Sequence, residues 1–185
     1  TFKGKKHLIS RSGYSKQGGY EIHIEDARSG QDLYDHFFEI GNKYNLKPGA
    51  PNHPERIEGG LLSYGNDMLI SDNPFECGFE KYVNLDSNIE FLGKESLKKI
   101  RDSGIKKKLM GVKIDIDNLD LSNTDIFNND NRVIGELRSA AYSPYFKKIV
   151  GIAMMKMEYC KIQEHFKIKI FNKSINGEIC NLPII

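Results

Sequence analysis

The chain has 185 residues, of which 39% are hydrophobic and 28% charged, and its 27 basic and 25 acidic side chains leave a formal net charge of +2. This composition is typical of a globular protein and lies outside the range of disordered chains. Because charges of both signs are interspersed along the sequence, no broad basic surface favours nucleic acid or an anionic membrane as a partner.

The cysteines, the histidines and the apolar segments exclude several classes of protein. The three cysteines are odd in number and show no CxxC spacing, which argues against a disulfide framework and a zinc site. The five histidines show no HExxH spacing, so we expect no metal. No apolar stretch approaches the roughly 20 residues that span a bilayer, and a cytoplasmic location is expected. The chain begins without Met or an apolar signal core, so we expect it to be part of a longer protein.

The first segment predicts a hairpin followed by an amphipathic helix. Residues 7–12 and 19–25 are predicted strands, and in the second strand Glu21 lies on the face opposite Ile22. Apolar side chains recur at helical spacing over residues 29–44, and the serine at the start of this range is the predicted N-cap.

Two further helices and a boundary follow. A proline-rich connector leads into a predicted helix that carries Arg56 near its start and extends to Tyr64. Another helix is predicted over residues 94–102, where Gly104 follows as a C-terminal stop. We place the domain boundary at this glycine. The predicted domains are 1–103 and 104–185.

Beyond residue 104 the hydrophobic pattern has the period of two that is typical of strands. Turn signals rich in Asn, Asp and Gly, such as 128–131 and 176–177, separate several short strands, and no helix is predicted there. The three lysines at 106–108 predict an exposed loop at a strand entrance. The fold class is therefore α+β: an α+β segment followed by a small antiparallel β-barrel or sandwich. The alternating apolar residues are Val112, Ile114 and Ile116 and, later, Phe166, Ile168 and Ile170.

Six short strings occur in collinear order over nearly the whole chain. They are SGYSKQGGYEI at 12–22, RIEGGLLSYGND at 56–67, NPFECGF at 73–79, FLGKESL at 91–97, GELRSAAYSP at 135–144 and LPI at 182–184. Together they resemble the glycine-cleavage T-protein family of tetrahydrofolate-dependent one-carbon transferases, and most of all its dimethylsulfoniopropionate demethylase branch. The resemblance implies that the chain is the C-terminal half of such an enzyme: the latter part of a folate-binding domain and a complete β-barrel.

The resemblance implies tetrahydrofolate as the cofactor and assigns roles to five residues. Glu21 matches the family's folate-binding glutamate, and one carboxylate can accept hydrogen bonds from the adjacent ring N–H and amino group of a pterin. Arg56 matches the arginine that accompanies the cofactor, where a guanidinium suits a folate carboxylate or a carbonyl. Tyr14 and Tyr64 are expected walls of the folate pocket. Tyr14 and Tyr20 are expected to hold a cationic substrate on their ring faces.

Without the resemblance, other interpretations of these residues stay open. A glutamate on an alternating strand commonly faces solvent, since it is rarely buried unpaired. Arg56 could form an exposed ion pair with Glu55 or Glu58, and Tyr64 could be an ordinary packing residue.

The implied reaction is transfer of the sulfonium methyl group of dimethylsulfoniopropionate to N5 of tetrahydrofolate, which gives methylmercaptopropionate and 5-methyltetrahydrofolate. SKQGG at 15–19 and GELRS at 135–139 favour this branch, because aminomethyltransferases commonly have TGEDG and GxVTS there. The alternatives are an aminomethyltransferase of the glycine cleavage system and a folate-binding module without turnover.

The family's aspartate nearest the transferred carbon has no counterpart in the chain. We therefore expect the catalytic residues in the missing N-terminal half, which becomes a required partner beside the small-molecule substrate. A homodimer is compatible with the sequence.

Overall fold

The structure is a computed structural model that describes residues 1–15, 17–50, 52–117, 124–170 and 173–184. These residues form two compact units, Thr1–Asn52 and His53–Ile185. We call them the hairpin–helix unit and the barrel unit. This division reflects compactness, and the domain boundary at Gly104 stays a prediction.

The hairpin–helix unit contains the two strands and the helix that its hydrophobic pattern predicts. Strands β1 (Leu8–Ser10) and β2 (Glu21–His23) pair antiparallel and are shorter than predicted. Helix α1 (Arg28–Gly41) follows and continues into a 3-10 helix, Asn42–Tyr44. Part of the predicted turn between the strands, Lys16, lies outside the described residues.

The start of α1 differs from its prediction. The N-cap is Ala27, and no side chain caps the helix there, so the prediction of Ser29 as N-cap is wrong. Asp26 takes over part of that role because its Oδ1 accepts a hydrogen bond from the backbone N–H of Arg28 at 3.1 Å. A short acidic side chain just before a helix satisfies an N–H that has no partner within the helix.

None of the described residues of the hairpin–helix unit is buried. Helix α1 has an apolar face, but none of its residues is buried. A helix of this length is marginal in water unless packing covers that face. The exposed large apolar residues are Leu8, Ile9, Tyr14, Tyr20, Tyr34, Phe37, Ile40, Tyr44 and Leu46.

The barrel unit contains a closed barrel of six antiparallel strands in the order β3-β6-β5-β4-β7-β8, which confirms the predicted small antiparallel barrel. Each of the six strands therefore pairs with a neighbour on both sides. The alternation at Val112 and Ile114, and at Phe166 and Ile168, places these four side chains inside it. The strands are β3 (Lys107–Ile114), β4 (Thr124–Phe127), β5 (Val133–Ser143), β6 (Lys148–Lys156), β7 (His165–Ile170) and β8 (Lys173–Cys180).

One predicted turn of the barrel is wrong. Gly177 lies inside β8, where a Cβ atom would come within 2.4 Å of Cζ of Phe166 and 2.8 Å of the Lys113 carbonyl oxygen. This glycine is therefore required by close packing inside a strand. The predicted turn at Asn128–Asn131 is confirmed, because Asn131 has a positive φ of 61° and its N–H bonds to the Asn128 carbonyl.

Strand β6 is buried on both faces. Ile149, Ala153 and Met155 point into the barrel. The alternate residues form a second apolar cluster outside it, together with Ile57 of helix α2 (His53–Glu58). This second cluster fixes α2 against the barrel wall. Its β6 members are Val150, Ile152 and Met154.

Helix α2 is shorter than predicted, and α3 (Lys94–Ser103) is confirmed. Gly59 follows α2, and Gly60 takes a positive φ of 65° that ends the helical path well before Tyr64. Gly104 ends α3 with a φ of 77°. Among the described residues no helix has both the length and the apolar character needed to cross a bilayer.

Candidate functional site

Glu21 lies where the strand pattern predicts. It is exposed on β2, while Ile22 and Ile24 on the opposite face are half-buried. The hydroxyl of Ser12 donates a hydrogen bond to Oε2 of Glu21. The hairpin therefore holds an exposed, oriented carboxylate, which can accept further hydrogen bonds from a ligand.

The two tyrosines of the hairpin–helix unit lie on its surface. Tyr14 is 37% exposed and Tyr20 is 66% exposed. The guanidinium of Arg11 lies 5.1 Å from the centroid of the Tyr20 ring, and its Nη1 donates to the Tyr20 hydroxyl at 3.2 Å. A cationic group of this chain thus already occupies one face of the Tyr20 ring.

Arg56 of α2 is almost fully buried, with 4% of its surface exposed. Its Nη1 donates to Oδ2 of Asp67 at 2.6 Å and to the Leu61 carbonyl at 3.3 Å. Its Nη2 donates to the hydroxyl of Ser139 at 3.0 Å, and its Nε to Nδ1 of His53 at 3.3 Å. Four of its five N–H groups therefore have partners within the barrel unit. The alternative in which Arg56 forms an exposed ion pair is wrong, because the guanidinium is buried.

Asp67 is the residue that sequence reasoning missed. It is fully buried, and its Oδ2 also accepts the backbone N–H of Ser63 at 2.7 Å. Its Oδ1 has no hydrogen-bond partner among the described residues. The available signal was the string YGND at 64–67, which ends in a carboxylate eleven residues after Arg56.

A β-bulge in β5 brings Ser139 to Arg56. Leu137 pairs with Ala153 of β6 and Ser139 pairs with Ile152, so Arg138 is an extra residue between them. A bulge changes which residues point to each face of a strand. Ser139 therefore faces α2 instead of the barrel interior.

A second serine of β5 makes the same kind of contact with a residue two positions further along α2. The hydroxyl of Ser143, which is fully buried, donates to Oε1 of Glu58 at 2.5 Å. The backbone N–H of Phe146 in turn donates to the Ser143 hydroxyl at 3.1 Å. Two polar bridges, Arg56–Ser139 and Glu58–Ser143, thus connect α2 to β5.

The surroundings of His53 favour its neutral form. Burial lowers the pKa of His53, and the charge of Arg56 lowers it further, against a smaller opposing effect of Asp67. A neutral imidazole leaves Nδ1 able to accept the hydrogen bond from Arg56. His53 therefore supports the position of the guanidinium without adding charge.

Comparison with known proteins identifies the family. Residues 1–87 match the model of the GCVT N-terminal domain, and residues 107–185 match that of the glycine cleavage T-protein C-terminal barrel domain. The chain belongs to the glycine cleavage T-protein family. The six strings of the sequence predicted this membership, and it is confirmed.

Curated relatives cover more than one activity. The dimethylsulfoniopropionate demethylase of Ruegeria pomeroyi is 36% identical over 155 residues, which is 84% of this chain and 42% of that protein. An aminomethyltransferase of Thermoanaerobacter pseudethanolicus is 33% identical over 178 residues, or 95% of this chain and 48% of that protein. The chain thus spans about half the length of the curated relatives it matches.

A solved structure supports the fold. The aminomethyltransferase T of the glycine cleavage system from Bartonella henselae superposes with a TM-score of 0.84 and 20% sequence identity, over 96% of this chain and 49% of that one. At this level of identity the likeness establishes the fold alone.

Of the five site residues that the family resemblance predicts, three lie in the hairpin–helix unit and two in the barrel unit. Tyr64 is 70% exposed, so its packing alternative is wrong within the described chain. Arg56 is brought together with Asp67 and Ser139. Tyr14, Tyr20 and Glu21 share the hairpin of the other unit. Their roles as ligands of folate or substrate stay predictions.

The barrel unit also has a charged cluster beside β3, in which Asp72 is buried and Lys107 is half-buried. Lys107 pairs with Asp72, and its Nζ lies 3.8 Å from Oε2 of Glu76. Lys107 and Lys108 belong to β3 and are half-buried, so the predicted exposed loop is wrong for these two lysines, whereas Lys106 is exposed just before the strand. Burial raises the pKa of Asp72, but hydrogen bonds from Lys107 and from the Leu69 N–H outweigh it, and the net effect lowers that pKa. Nη1 of Arg138, the extra residue of the bulge, lies 3.8 Å from Oδ2 of Asp72.

This cluster attaches the segment around residue 72 to the barrel.

No group of three or more His, Cys, Asp or Glu side chains among the described residues is arranged to hold a metal ion.

Proposed function

We propose that this chain is the C-terminal half of a tetrahydrofolate-dependent methyltransferase that demethylates dimethylsulfoniopropionate. The observation that carries the proposal is the exposed, oriented carboxylate of Glu21 in a family whose relatives include such a demethylase. A cytoplasmic location belongs to the same proposal, with the three free cysteines in its support.

The described residues fit tetrahydrofolate as a ligand. Glu21 offers acceptors for the N–H groups of a pterin edge. The family resemblance assigns a cofactor role to Arg56 of the barrel unit as well, and that role belongs to the same proposal. Tetrahydrofolate would supply the N5 atom that receives the methyl group.

The protein contributes to this reaction mainly by positioning the methyl donor against the acceptor nitrogen. A sulfonium already carries a good leaving group, so holding the methyl carbon in line with the acceptor nitrogen accounts for much of the acceleration. The N5–C bond would form as the S–C bond breaks, the sulfur would leave as a neutral thioether in a product that keeps its carboxylate, and N5 would lose its proton to water. Tyr14 and the ring face of Tyr20 opposite Arg11 would attract the cation.

The proposal includes a second polypeptide portion. The hairpin–helix unit buries none of its described residues, and the curated relatives are about twice as long as the chain. We therefore define the reconstituted protein as this chain preceded by a segment that matches the remaining half of its relatives. The 185-residue chain alone should turn nothing over, because exposed apolar surface of this kind marks an interface or an aggregation site.

Turnover by the reconstituted protein tests the proposal. Incubation with tetrahydrofolate and dimethylsulfoniopropionate should yield 5-methyltetrahydrofolate and methylmercaptopropionate, measured by mass spectrometry, whereas the isolated chain should yield neither. Multiple turnovers by the isolated chain would show that the catalytic centre is misplaced in this proposal.

Glu21→Gln tests the pterin ligand in the reconstituted protein. Loss of a charge-assisted hydrogen bond should weaken tetrahydrofolate binding about tenfold or more in calorimetry. Glu25→Gln is the matched control, since Glu25 is also exposed in this unit and carries no assigned role. Equal affinities of the two variants would remove Glu21 from the folate site.

The second candidate function is aminomethyl transfer in the glycine cleavage system. The aminomethyltransferase relatives favour it because their matches cover more of the chain, 95% against 84% for the demethylase. Supplying an aminomethyl-loaded lipoyl carrier protein in place of dimethylsulfoniopropionate separates the two activities. Binding of tetrahydrofolate without turnover of either substrate would favour the third alternative, a folate-binding module.

A further inference from the structure

One face of the hairpin carries a row of polar side chains that ends at Glu21. In the antiparallel register of β1 and β2, Ser10 lies opposite Glu21. Side chains two positions apart along a strand point to the same side of a sheet. Ser12, two positions after Ser10, and His23, two positions after Glu21, therefore share this face, whereas Ile22 points to the other one.

Three contacts connect the four side chains of this face, which we call the polar row. Nε2 of His23 lies 3.1 Å from Oγ of Ser10. Oγ of Ser10 lies 3.0 Å from Oγ of Ser12. The Ser12 hydroxyl donates to Oε2 of Glu21. The row is therefore one continuous chain of hydrogen bonds from an imidazole to a carboxylate.

The number of protons gives this chain a single direction. A serine hydroxyl has one proton, and an ionised carboxylate can only accept. Ser12 uses its proton on Glu21, so Ser10 must donate the bond between the two serines. Ser10 then has no proton left for the imidazole, and Nε2 of His23 must carry a proton and donate it. All three hydrogen bonds thus point toward Glu21.

We propose that His23, acting through the two serines, is a positioning residue that orients the Glu21 carboxylate for folate. The inference rests on the proposed function, in which Glu21 accepts hydrogen bonds from the pterin edge. A carboxylate that must meet two adjacent donors binds them more tightly when its orientation is set beforehand. Hydrogen bonds that point the same way polarise one another, so His23 acts on Glu21 without touching it.

The positions of the polar row favour orientation over stability as its role. Its members are exposed, apart from the half-buried Ser10. Substitution of such surface side chains changes stability little. Variants of the row should therefore fold and keep the melting temperature of the unchanged protein, while their affinity for folate changes.

Calorimetry with tetrahydrofolate on the reconstituted protein tests each member of the row. Ser12→Ala should weaken binding about fivefold and His23→Leu about threefold. His23→Gln, whose amide nitrogen can donate in place of Nε2, should restore the affinity of the unchanged protein. Ser29→Ala is the matched control, because Ser29 belongs to α1 of the same unit and lies outside the row. Equal affinities for His23→Leu and Ser29→Ala overturn the inference.

A double substitution distinguishes a connected chain from independent side chains. Once Ser12→Ala has broken the row, His23→Leu should have no further effect on the affinity for tetrahydrofolate. The loss in the double variant should therefore equal the loss in Ser12→Ala alone. An independent contribution of His23 would add to that of Ser12, and additive losses overturn the inference.

Nitrogen NMR of the imidazole provides a readout that does not depend on folate. At a pH at which the imidazole of His23 is neutral, its proton should reside on Nε2 in the unchanged reconstituted protein. A proton on Nδ1 overturns the inference. An unchanged protein that binds no tetrahydrofolate overturns the proposed function, and the positioning role with it. Normal binding of tetrahydrofolate with additive losses overturns the inference alone.

Discussion

The two units of the chain use similar apolar patterns with opposite results. In the barrel unit, β6 buries both faces, one in the barrel and one against α2. In the hairpin–helix unit, α1 has an apolar face but buries no residue. An apolar pattern becomes a core only when a second layer of chain covers it. The barrel unit contains both layers, and the hairpin–helix unit contains one.

The ion pairs of the two units also differ in how far they are exposed to water. Lys3–Asp32 and Arg56–Asp67 have the same N–O distance of 2.6 Å, but the first pair is more than half exposed and the second is buried. Water screens the first pair. In the second pair each charge depends on the other, because an unpaired buried charge is costly. The N–O distance alone therefore does not show how much each ion pair contributes to stability.

The largest difference between the units should follow from removing one aromatic ring. Phe166→Ala should lower the free energy of unfolding by about 3 to 5 kcal/mol, because the ring is fully buried inside the barrel. Phe37→Ala on α1 removes the same atoms, but from a side chain that is 47% exposed. This substitution should therefore change the free energy of unfolding little. Urea denaturation of the chain measures both. Similar losses for the two variants would show that α1 is covered in solution.

A smaller difference should follow from breaking one ion pair in each unit. Asp67→Ala leaves Arg56 buried without its counterion and should destabilise the chain by about 3 kcal/mol. Asp32→Ala leaves Lys3 in water and should have no effect beyond experimental scatter. The melting temperatures of both variants provide the comparison. An Asp67→Ala protein as stable as the Asp32→Ala protein would mean that the pair is open to solvent.

The regular parts of this fold could be predicted from the sequence because local signals specify them. The alternation around Val112 and Phe166 predicts barrel strands, and Gly104 marks the end of α3. Gly177 was misassigned because glycine signals both a turn and a close approach, and only the position of the Phe166 ring distinguishes them. Helix α2 was predicted too long because its apolar spacing continues past the two glycines that end it.

The site was less predictable because its contacts are non-local. Glu21 and Arg56 were found through short strings, but 83 residues separate Arg56 from Ser139. Their contact depends on the bulge at Arg138, which no local pattern of GELRS indicates. Asp67 was within the quoted string, yet only its burial shows that it is the counterion of Arg56.

The last predicted effect appears only at alkaline pH and concerns the thiols, all of which lie in the barrel unit. Burial, together with the negative charges of Asp72 and Glu76, raises the pKa of Cys77 to about 11, and burial raises that of Cys180 to about 11, against an ordinary value of 9.0. In the unfolded chain these thiols return to their ordinary pKa. A pKa that is higher in the folded state contributes stability below pH 9, and this contribution is lost as the pH rises from 9 toward 11.

The free energy of unfolding should therefore fall over this pH window by more in the unchanged chain than in the Cys77→Ala/Cys180→Ala variant. Comparing the two slopes removes the titration of lysines and tyrosines, which both proteins share. Iodoacetamide gives a second readout at pH 8, because only the thiolate reacts. Labelling of both thiols should be slow in the native chain and fast in urea. Rapid native labelling of Cys77 would show that its segment opens from the barrel wall, and the barrel unit would then share the incomplete packing of the hairpin–helix unit.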